Sequence, residues 1–276
     1  MKVLLINSYL YRRGGDCTYM FSLGDLLKSR GHEVFYWGMN HPSNYEYKYS
    51  KYFADYIDFS ELNKEKSIKN GIKVISRSIY SFHSQYNLIN YINIINPDIA
   101  HINSIHGHIT PSILKILNDF NIPIFWTLHE YKLLCPESHF LSQGIVCESC
   151  FKKKYFKSFT KKCKKGSYLA SSVIALEAYV HNFLKIHQKI ERFIAPSIFL
   201  RNKFIEFGWP EKKITFMRNF LINKTDSEHH YYDKNYIVYF GSLVSWKGID
   251  TLIKAVKVVD IKLKIIGDGD QRINLE

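Results

Sequence analysis

KVLLINSYLYRRGGD, residues 2–16, decides the fold because it joins a buried strand to a glycine-containing loop. The apolar run at 3–6 is short and continuous, as is typical of a fully buried strand. A helical pattern follows over about 18–30, and Gly31 stands where a C-terminal cap belongs. Residues 33–37, EVFYW, predict a second strand. This order predicts the opening of a doubly wound parallel α/β sheet.

The same alternation of short apolar runs and helical patterns continues along the chain. Residues 40–70 are polar and tyrosine-rich, and we predict an irregular insertion followed by a helix. The polar stretch 223–235 has the composition of a linker. We expect a complete N-terminal Rossmann-like domain over 1–222 and the first β-α-β portion of a second one over 223–276. The other predicted strands are 99–102, 124–128, 193–195, 214–217, 236–240 and 261–266, and the other predicted helices are 111–120, 168–187, 197–208 and 250–259.

The excess of basic residues narrows the class of binding partner. The formal net charge is +13, from 38 Lys and Arg against 25 Asp and Glu. Such a surplus favours an acidic partner, which could be nucleic acid, anionic lipid or a phosphorylated ligand. No uninterrupted apolar run approaches the roughly 20 residues of a spanning helix, and the first apolar run is too short for a signal peptide. We therefore expect a cytoplasmic protein, peripheral on the inner face of the plasma membrane.

Two glycines follow the first strand. Gly14 and Gly15 lie just before a helix, where backbone N–H groups and a partial positive charge favour a phosphate. The loop lacks both G-x-G-x-x-G and the Walker lysine pattern, which argues against a dehydrogenase or a P-loop enzyme.

Two further loops follow strands and carry polar side chains. In TLHEY, His129 and Glu130 stand at a strand end, where a histidine can bind a substrate hydroxyl or be satisfied by nearby backbone. In FGSLVSWKG, Gly241 and Ser242 open the loop, and Lys247 closes it before a helix. A lysine at that place can neutralise a phosphate as a point charge.

Four of the five cysteines lie within an insertion at 135–165: Cys135, Cys147, Cys150 and Cys163. Their spacings are x11, x2 and x12, so only the middle pair has the C-x-x-C spacing typical of zinc. A structural zinc site and four free thiols both remain open, and a catalytic redox pair is less favoured.

The insertion is also strongly basic. In FKKKYFKSFTKK, residues 151–162, Phe151, Tyr155 and Phe159 recur every four residues among lysines. On one helix they would form an aromatic stripe flanked by cations. Such a stripe would lie on an anionic membrane surface through 151–165 or pack on its own domain.

Six segments together resemble the GT-B retaining glycosyltransferases, specifically glycosyltransferase family 4. Their order and spacing along nearly the whole chain carry the resemblance, more than any single motif does. The segments are KVLLINSYLYRRGGD, NPDIAHINSIH, TLHEYKLLCP, APSIFLRNKFIEFG, YFGSLVSWKGIDTLIKA and LKIIGDGD.

The resemblance implies an α/β fold of GT-B type, in which a nucleoside-diphosphate sugar donates its sugar to a glycan or lipid-linked acceptor. It implies that Gly14, Gly15 and Lys247 approach the donor diphosphate and that His129 contacts the transferred sugar. Glu130 stands where aspartate is more usual. The resemblance also implies a hexosyltransferase that needs no cofactor for catalysis, a role in cell-surface polysaccharide assembly, and no nucleic-acid partner.

Two departures from the family pattern bear on activity. Ser242 stands where an arginine is usual, which implies one phosphate contact fewer. The E-x7-E motif lies beyond the GDG turn, so this chain resembles a family member that lacks the C-terminal part. A non-catalytic or split-partner protein is therefore one alternative to an active transferase. A zinc-containing nucleic-acid-binding protein, suggested by charge and cysteines alone, is the other.

Overall fold

A computed structural model describes residues 1–56, 77–220, 235–259 and 261–276. The chain forms two compact units, Met1–Asn223 and Lys224–Glu276. The predicted linker at 223–235 and much of the predicted insertion at 40–70 lie outside the described residues. No helix in the described ranges is long and apolar enough to cross a membrane.

The first unit alternates strands and helices in the order the sequence predicts. The helix expected after residue 70 is α2, and the expected irregular insertion begins with two short strands. The elements are β1 (Lys2–Ile6), α1 (Gly15–Ser29), β2 (Glu33–Trp37), β3 (Met39–Asn40), β4 (Ala54–Asp55), α2 (Phe82–Ile95), β5 (Ile99–Ile102), α3 (Ile113–Asp119), β6 (Ile124–Thr127), β7 (Leu141–Ser142), β8 (Ile145–Val146), α4 (Phe156–Thr160), α5 (Tyr168–Phe183), β9 (Arg192–Ala195), α6 (Ile198–Glu206) and β10 (Ile214–Phe216).

Six parallel strands form the central sheet in the order β10-β9-β6-β5-β1-β2. Strand β1 lies inside the sheet, where Leu5 pairs with Tyr36 of β2 and with His101 of β5. Its apolar residues are fully buried because helices cover both faces of such a sheet. The strand order reverses between β1 and β5, and in sheets of this kind ligands bind at the carboxyl ends of the strands beside such a reversal.

Capping signals in the sequence place several helix ends. Ser197 accepts a hydrogen bond from the Leu200 amide at 3.1 Å and begins α6. Gly31 has a φ of +80°, as its place after α1 predicts. The helix predicted over 168–187 ends earlier, at Phe183, because Lys185 turns the chain with a φ of +51°.

Residues 151–162 do not form one continuous helix. Phe151–Lys153 forms a 3-10 turn, the backbone takes positive φ at Lys152 and Lys153, and α4 covers Phe156–Thr160 alone. Tyr155 turns inward and packs edge-on against Tyr179 of α5 at 5.2 Å. The regular aromatic stripe therefore does not form.

The second unit contains the parallel strands β11 (Tyr236–Phe240) and β12 (Lys262–Ile266), helix α7 (Ile249–Val256) and the short α8 (Arg272–Leu275). The glycines of the turn after β12 have a packing reason. A Cβ at Gly267 would lie 1.9 Å from the Gly241 carbonyl oxygen, and one at Gly269 would lie 2.3 Å from that of Leu243. The GDG sequence therefore lets this turn press against the loop after β11.

Candidate functional site

The predicted site residues of the first unit gather at the carboxyl edge of the sheet. Gly14 and Gly15 follow β1, and His129 follows β6. Between them, Asn103 follows β5 and its N–H donates to the Ile6 carbonyl at 2.9 Å. These loops lie on both sides of the strand-order reversal, where ligands bind in sheets of this kind.

The glycine pair leaves room at the start of α1. Gly14 is the N-cap residue with extended backbone, a conformation open to any residue. A Cβ at Gly15 would meet nothing within 4 Å. The fold itself therefore does not require glycine at position 15, and the first-turn N–H groups have no acceptor within the helix. The open space and these donors suit close approach by an anion.

A hydrogen bond from Asn103 orients His129. The Asn103 amide nitrogen donates to the Ile6 carbonyl at 3.5 Å, which turns the amide oxygen toward His129 Nε2 at 3.0 Å. The backbone of Asn103 is held in turn by the Trp126 indole N–H, which donates to its carbonyl at 2.8 Å. The Nε2–H of His129 thus donates to Asn103, and the neutral ring keeps an acceptor lone pair on Nδ1.

Burial keeps the histidines of this edge neutral. It lowers the pKa of His129 to about 4, against an opposing effect of Asp16 in the first turn of α1. Burial lowers the pKa of His101 to about 3, and its Nε2 lies 2.8 Å from the Thr127 hydroxyl. A neutral imidazole at this edge can exchange hydrogen bonds with hydroxyl groups without adding positive charge.

The other predicted cleft residues are more exposed. Glu130 is half-buried, and neither an ion pair nor a side-chain hydrogen bond ties it to another residue in the described part of the chain. In the second unit, Lys247 ends a 3-10 turn and is exposed, followed by Gly248 with a φ of +69°. Gly241 has a φ of +148°, and the Tyr239 hydroxyl donates to the Ser242 carbonyl at 3.1 Å. This loop presents a hydroxyl at Ser242 and a cation at Lys247.

The four predicted zinc ligands are free thiols. Burial, with added repulsion from the other three cysteines, raises the pKa of Cys150 to about 12. Burial opposes ionisation of Cys147 too, but hydrogen bonds from Ser149 and Lys161 lower its pKa overall. Among the described residues, no group of three or more His, Cys, Asp or Glu side chains is arranged to hold a metal ion. The four sulfur atoms would have to close in to reach the roughly 2.3 Å of a Zn–S bond, so the zinc site stays a prediction.

Sequence reasoning missed two sets of residues. Asn103 is predictable from the sequence, because this residue follows a strand just as His129 does. The other set is a buried ion pair between Lys132 and Glu177, 2.9 Å apart, with His106 3.8 Å from the same carboxylate. Burial opposes ionisation of Glu177, but Lys132 and His106 outweigh it and lower its pKa to about 2. No motif marks this pair, since its members lie 45 positions apart and meet through tertiary packing.

Buried neutral histidine makes the fold sensitive to acid. His101 has a pKa of about 3 in the folded protein against an ordinary value of 6.5, so the unfolded chain binds the proton first. The free energy of unfolding should therefore fall by about 1.4 kcal/mol per pH unit for this group as pH drops from 6.5 toward 3. Urea unfolding at several pH values measures the slope. His101→Gln should reduce it by that amount, and the exposed control His139→Gln should not; equal slopes in all three proteins would contradict the assignment.

The zinc prediction has a matched control in the fifth cysteine. One zinc ion per chain is expected in protein purified after growth with zinc, measured by elemental analysis. Cys150→Ser should lower the zinc content. Cys17→Ser should not, because Cys17 lies apart from the cluster and accepts from the Asn7 amide at 3.3 Å. Zinc far below one per chain in the unmodified protein would mean that the cluster consists of free thiols.

HepE of Anabaena and TarM of S. aureus are among the solved structures that this chain resembles. HepE of Anabaena, solved in complex with UDP-glucose, is 15% identical, with a TM-score of 0.50 over 97% of this chain and 61% of HepE. A mutant of TarM of S. aureus, solved with fondaparinux, alpha-GlcNAc-glycerol and UDP, is 13% identical, with a TM-score of 0.54 over 99% of this chain and 73% of TarM. The chain thus spans about 61% of the length of HepE. A comparison with curated proteins returns no match.

These likenesses confirm the expected α/β fold of GT-B type. The family model described as Glycosyltransferase Family 4 matches residues 13–221, well over half of the chain. That range contains the glycine pair, Asn103, His129 and the cysteine insertion. The chain therefore belongs to glycosyltransferase family 4.

Proposed function

We propose that this protein transfers a sugar, with retention, from a nucleoside-diphosphate donor to a glycan or lipid-linked acceptor in cell-surface polysaccharide assembly. The observation that carries the proposal is the placement of Gly14, Gly15 and His129 at one sheet edge, around the strand-order reversal. UDP is the nucleotide in the HepE and TarM complexes, which makes UDP-sugars the first donors to test.

Two features suit the leaving nucleoside diphosphate. Negative charge grows on the phosphate as the bond to the sugar breaks, so donors fixed in advance lower the barrier. The start of α1 offers N–H groups beside the open space at Gly15. Lys247 supplies a positive charge that is unpaired within the described residues. Each feature by itself favours the binding of a negatively charged phosphate.

The neutral state of His129 suits the sugar itself. The transferred sugar becomes positively charged as the leaving group departs, and a protonated imidazole beside it would oppose that change. Burial keeps the pKa of His129 near 4, so the ring stays neutral at pH 7. With Nε2–H held by Asn103, Nδ1 is left to accept from a sugar hydroxyl.

Ser242 supports the alternative of a non-catalytic protein. Its hydroxyl replaces a cation expected beside the diphosphate, so Lys247 carries more of the charge. A non-catalytic member would bind a donor without cleaving it. Donor binding and donor turnover are therefore measured separately.

Donor binding should depend on Lys247 and on the space at Gly15. In calorimetry against UDP-glucose, UDP-N-acetylglucosamine and GDP-mannose, Lys247→Ala should weaken the preferred donor about 10-fold, the cost of one charged hydrogen bond. Lys254→Ala, an exposed lysine of the same unit, should not. Gly15→Ala should keep thermal stability, because its Cβ has room, yet weaken binding.

Turnover gives the second readout. Release of UDP or GDP from the bound donor should fall in His129→Ala, with little change in affinity. Donor binding without any release would favour the non-catalytic alternative. No binding by any nucleotide sugar would contradict the proposal.

The membrane part of the proposal rests on a lysine-rich surface, formed by residues 151–165 and the exposed face of α5. Residues 151–165 contribute eight lysines and no acidic residue. It packs on α5 through the Phe156 N–H, which donates to the Tyr179 hydroxyl at 3.1 Å, and through Phe159 against Tyr168 at 5.2 Å. The two segments therefore form one continuous surface.

Apolar side chains stand exposed on that surface. Leu169, Leu176 and Phe183 recur every seven residues along α5, and Phe183 is 82% exposed. Phe156 and Phe159 of α4 are also exposed. Exposed apolar side chains among many lysines are complementary to an anionic lipid surface. Tyr155 takes no part, because it is buried.

Vesicle flotation tests this surface. The protein should float with vesicles of phosphatidylcholine and phosphatidylglycerol and stay behind with phosphatidylcholine alone. Lys154→Glu with Lys157→Glu should lower binding about 30-fold, at roughly 1 kcal/mol per lysine removed. Lys189→Glu with Lys212→Glu, two exposed lysines outside the surface, is the matched control. Equal flotation with both kinds of vesicle would sink the membrane proposal.

A further inference from the structure

A large cavity lies in the first unit apart from the glycine loop and His129. It has a volume of about 750 Å³, within the range of roughly 300–1,000 Å³ typical of small-molecule sites. Loops 132–134, 183–190 and 207–213 line it, together with Cys150, Lys153 and Tyr155 of the insertion. Neither Gly14, Gly15 nor His129 lines it, so the proposed transfer reaction leaves this cavity unexplained.

One side of the cavity is apolar. Phe193, Phe207 and Trp209 form much of it, with Leu134 and Pro210. Trp209 is fixed by edge-on contacts with Phe193 at 5.1 Å and Phe204 at 5.4 Å. These packed rings present a rigid carbon surface, which suits an aliphatic or aromatic group and binds it without first becoming ordered.

The charged lining is net positive by three. Lys132, Lys153, Lys185 and Lys213 line the cavity, and Glu177 is the single acidic residue among its described lining residues. Glu177 is already neutralised by Lys132 at 2.9 Å. Lys213 donates to two backbone carbonyls, those of Gln188 and Ile190, which do not cancel its charge.

Two of the lysines are left for a ligand. Lys153 and Lys185 are exposed, and within residues 1–56, 77–220, 235–259 and 261–276 neither has an ion pair. The buried Nδ1 atom of His187 also has no hydrogen-bond partner in the described part of the chain. Exposed lysines at the mouth and rings inside describe a site with a charged end and an apolar end.

The geometry points to a binding site for an alkyl phosphate, with its chain against Phe193, Phe207 and Trp209 and its phosphate at Lys153 and Lys185. Charge favours an anion, and lysines bind phosphate as point charges. The apolar side selects a phosphate that carries a carbon chain over inorganic phosphate. Phe183, 82% exposed, lines the cavity and also belongs to the lysine-rich surface, so a lipid phosphate could reach the mouth from a membrane.

Alkyl phosphate binding can be measured independently of sugar transfer and of vesicle binding. Alkyl phosphates below their micelle concentration need neither a donor sugar nor a bilayer. Loss of UDP-sugar binding would therefore leave it intact, and loss of alkyl phosphate binding would leave the proposed transfer intact.

Calorimetry with hexyl, octyl and decyl phosphate tests both ends of the ligand. Affinity should rise roughly fourfold for each added methylene, the increment expected for burying a CH₂ group. Octyl glucoside has an equal chain without the charge and should bind at least 10-fold more weakly. Inorganic phosphate should not displace octyl phosphate. Equal binding of octyl glucoside would overturn the anionic end, and displacement by inorganic phosphate would overturn the apolar end.

Variants and crosslinking then locate the site. Lys153→Gln with Lys185→Gln should weaken octyl phosphate about 10-fold or more, and the nearby exposed control Lys189→Gln should leave it unchanged. Both changes are at exposed positions, so thermal unfolding should match the unmodified protein. An octyl phosphate with a photoreactive group at its chain end should label peptides within 183–193 or 207–213. Labelling confined to other segments would overturn the assignment.

Discussion

The pairing of β1 with two partners is the constraint on which the first unit depends. Leu5 of β1 is fully buried, and its backbone pairs with Tyr36 on one side and His101 on the other. The strand order also reverses there, and in sheets of this kind ligands bind at the carboxyl ends of the strands beside the reversal. Asn7 accepts from the Ser104 amide at 2.8 Å and holds the two loops in register. The positions of the glycine pair and of His129 follow from this one junction.

Local sequence predicted the strands well because their signals need no partner. Residues 33–37, 99–102 and 236–240 are strands as expected, since each is a short apolar run bounded by polar or turn-forming residues. A helix that runs to residue 187 and one continuous helix over 151–162 do not form, for a different reason. Ile190 is fully buried, and Tyr155 turns inward onto Tyr179. In both places tertiary packing overrides a helical pattern that the local sequence favours.

The candidate site was predictable to the extent that it lies at strand ends. The rule that binding residues follow the ends of parallel strands identifies His129, and at the end of β5 it also identifies Asn103. The rule does not predict the tautomer of His129, which depends on the Asn103 oxygen that faces Nε2 at 3.0 Å. Nor could it show the pairing of Lys132 with Glu177, because a residue of α5 and a loop residue meet there through packing alone. A single sequence does not show which side chains of distant segments come into contact.

The net charge of +13 comes from lysines and arginines, whereas the histidines at the carboxyl edge of the sheet are neutral. Lysines stay exposed in the insertion, at the cavity mouth and at Lys247, where an anion can reach them. His101 is buried and His129 is half-buried, and desolvation keeps both uncharged at neutral pH. In the proposed transfer, a positive charge at His129 would oppose the positive charge that grows on the sugar. Burial therefore decides which basic groups of this chain carry a positive charge at neutral pH.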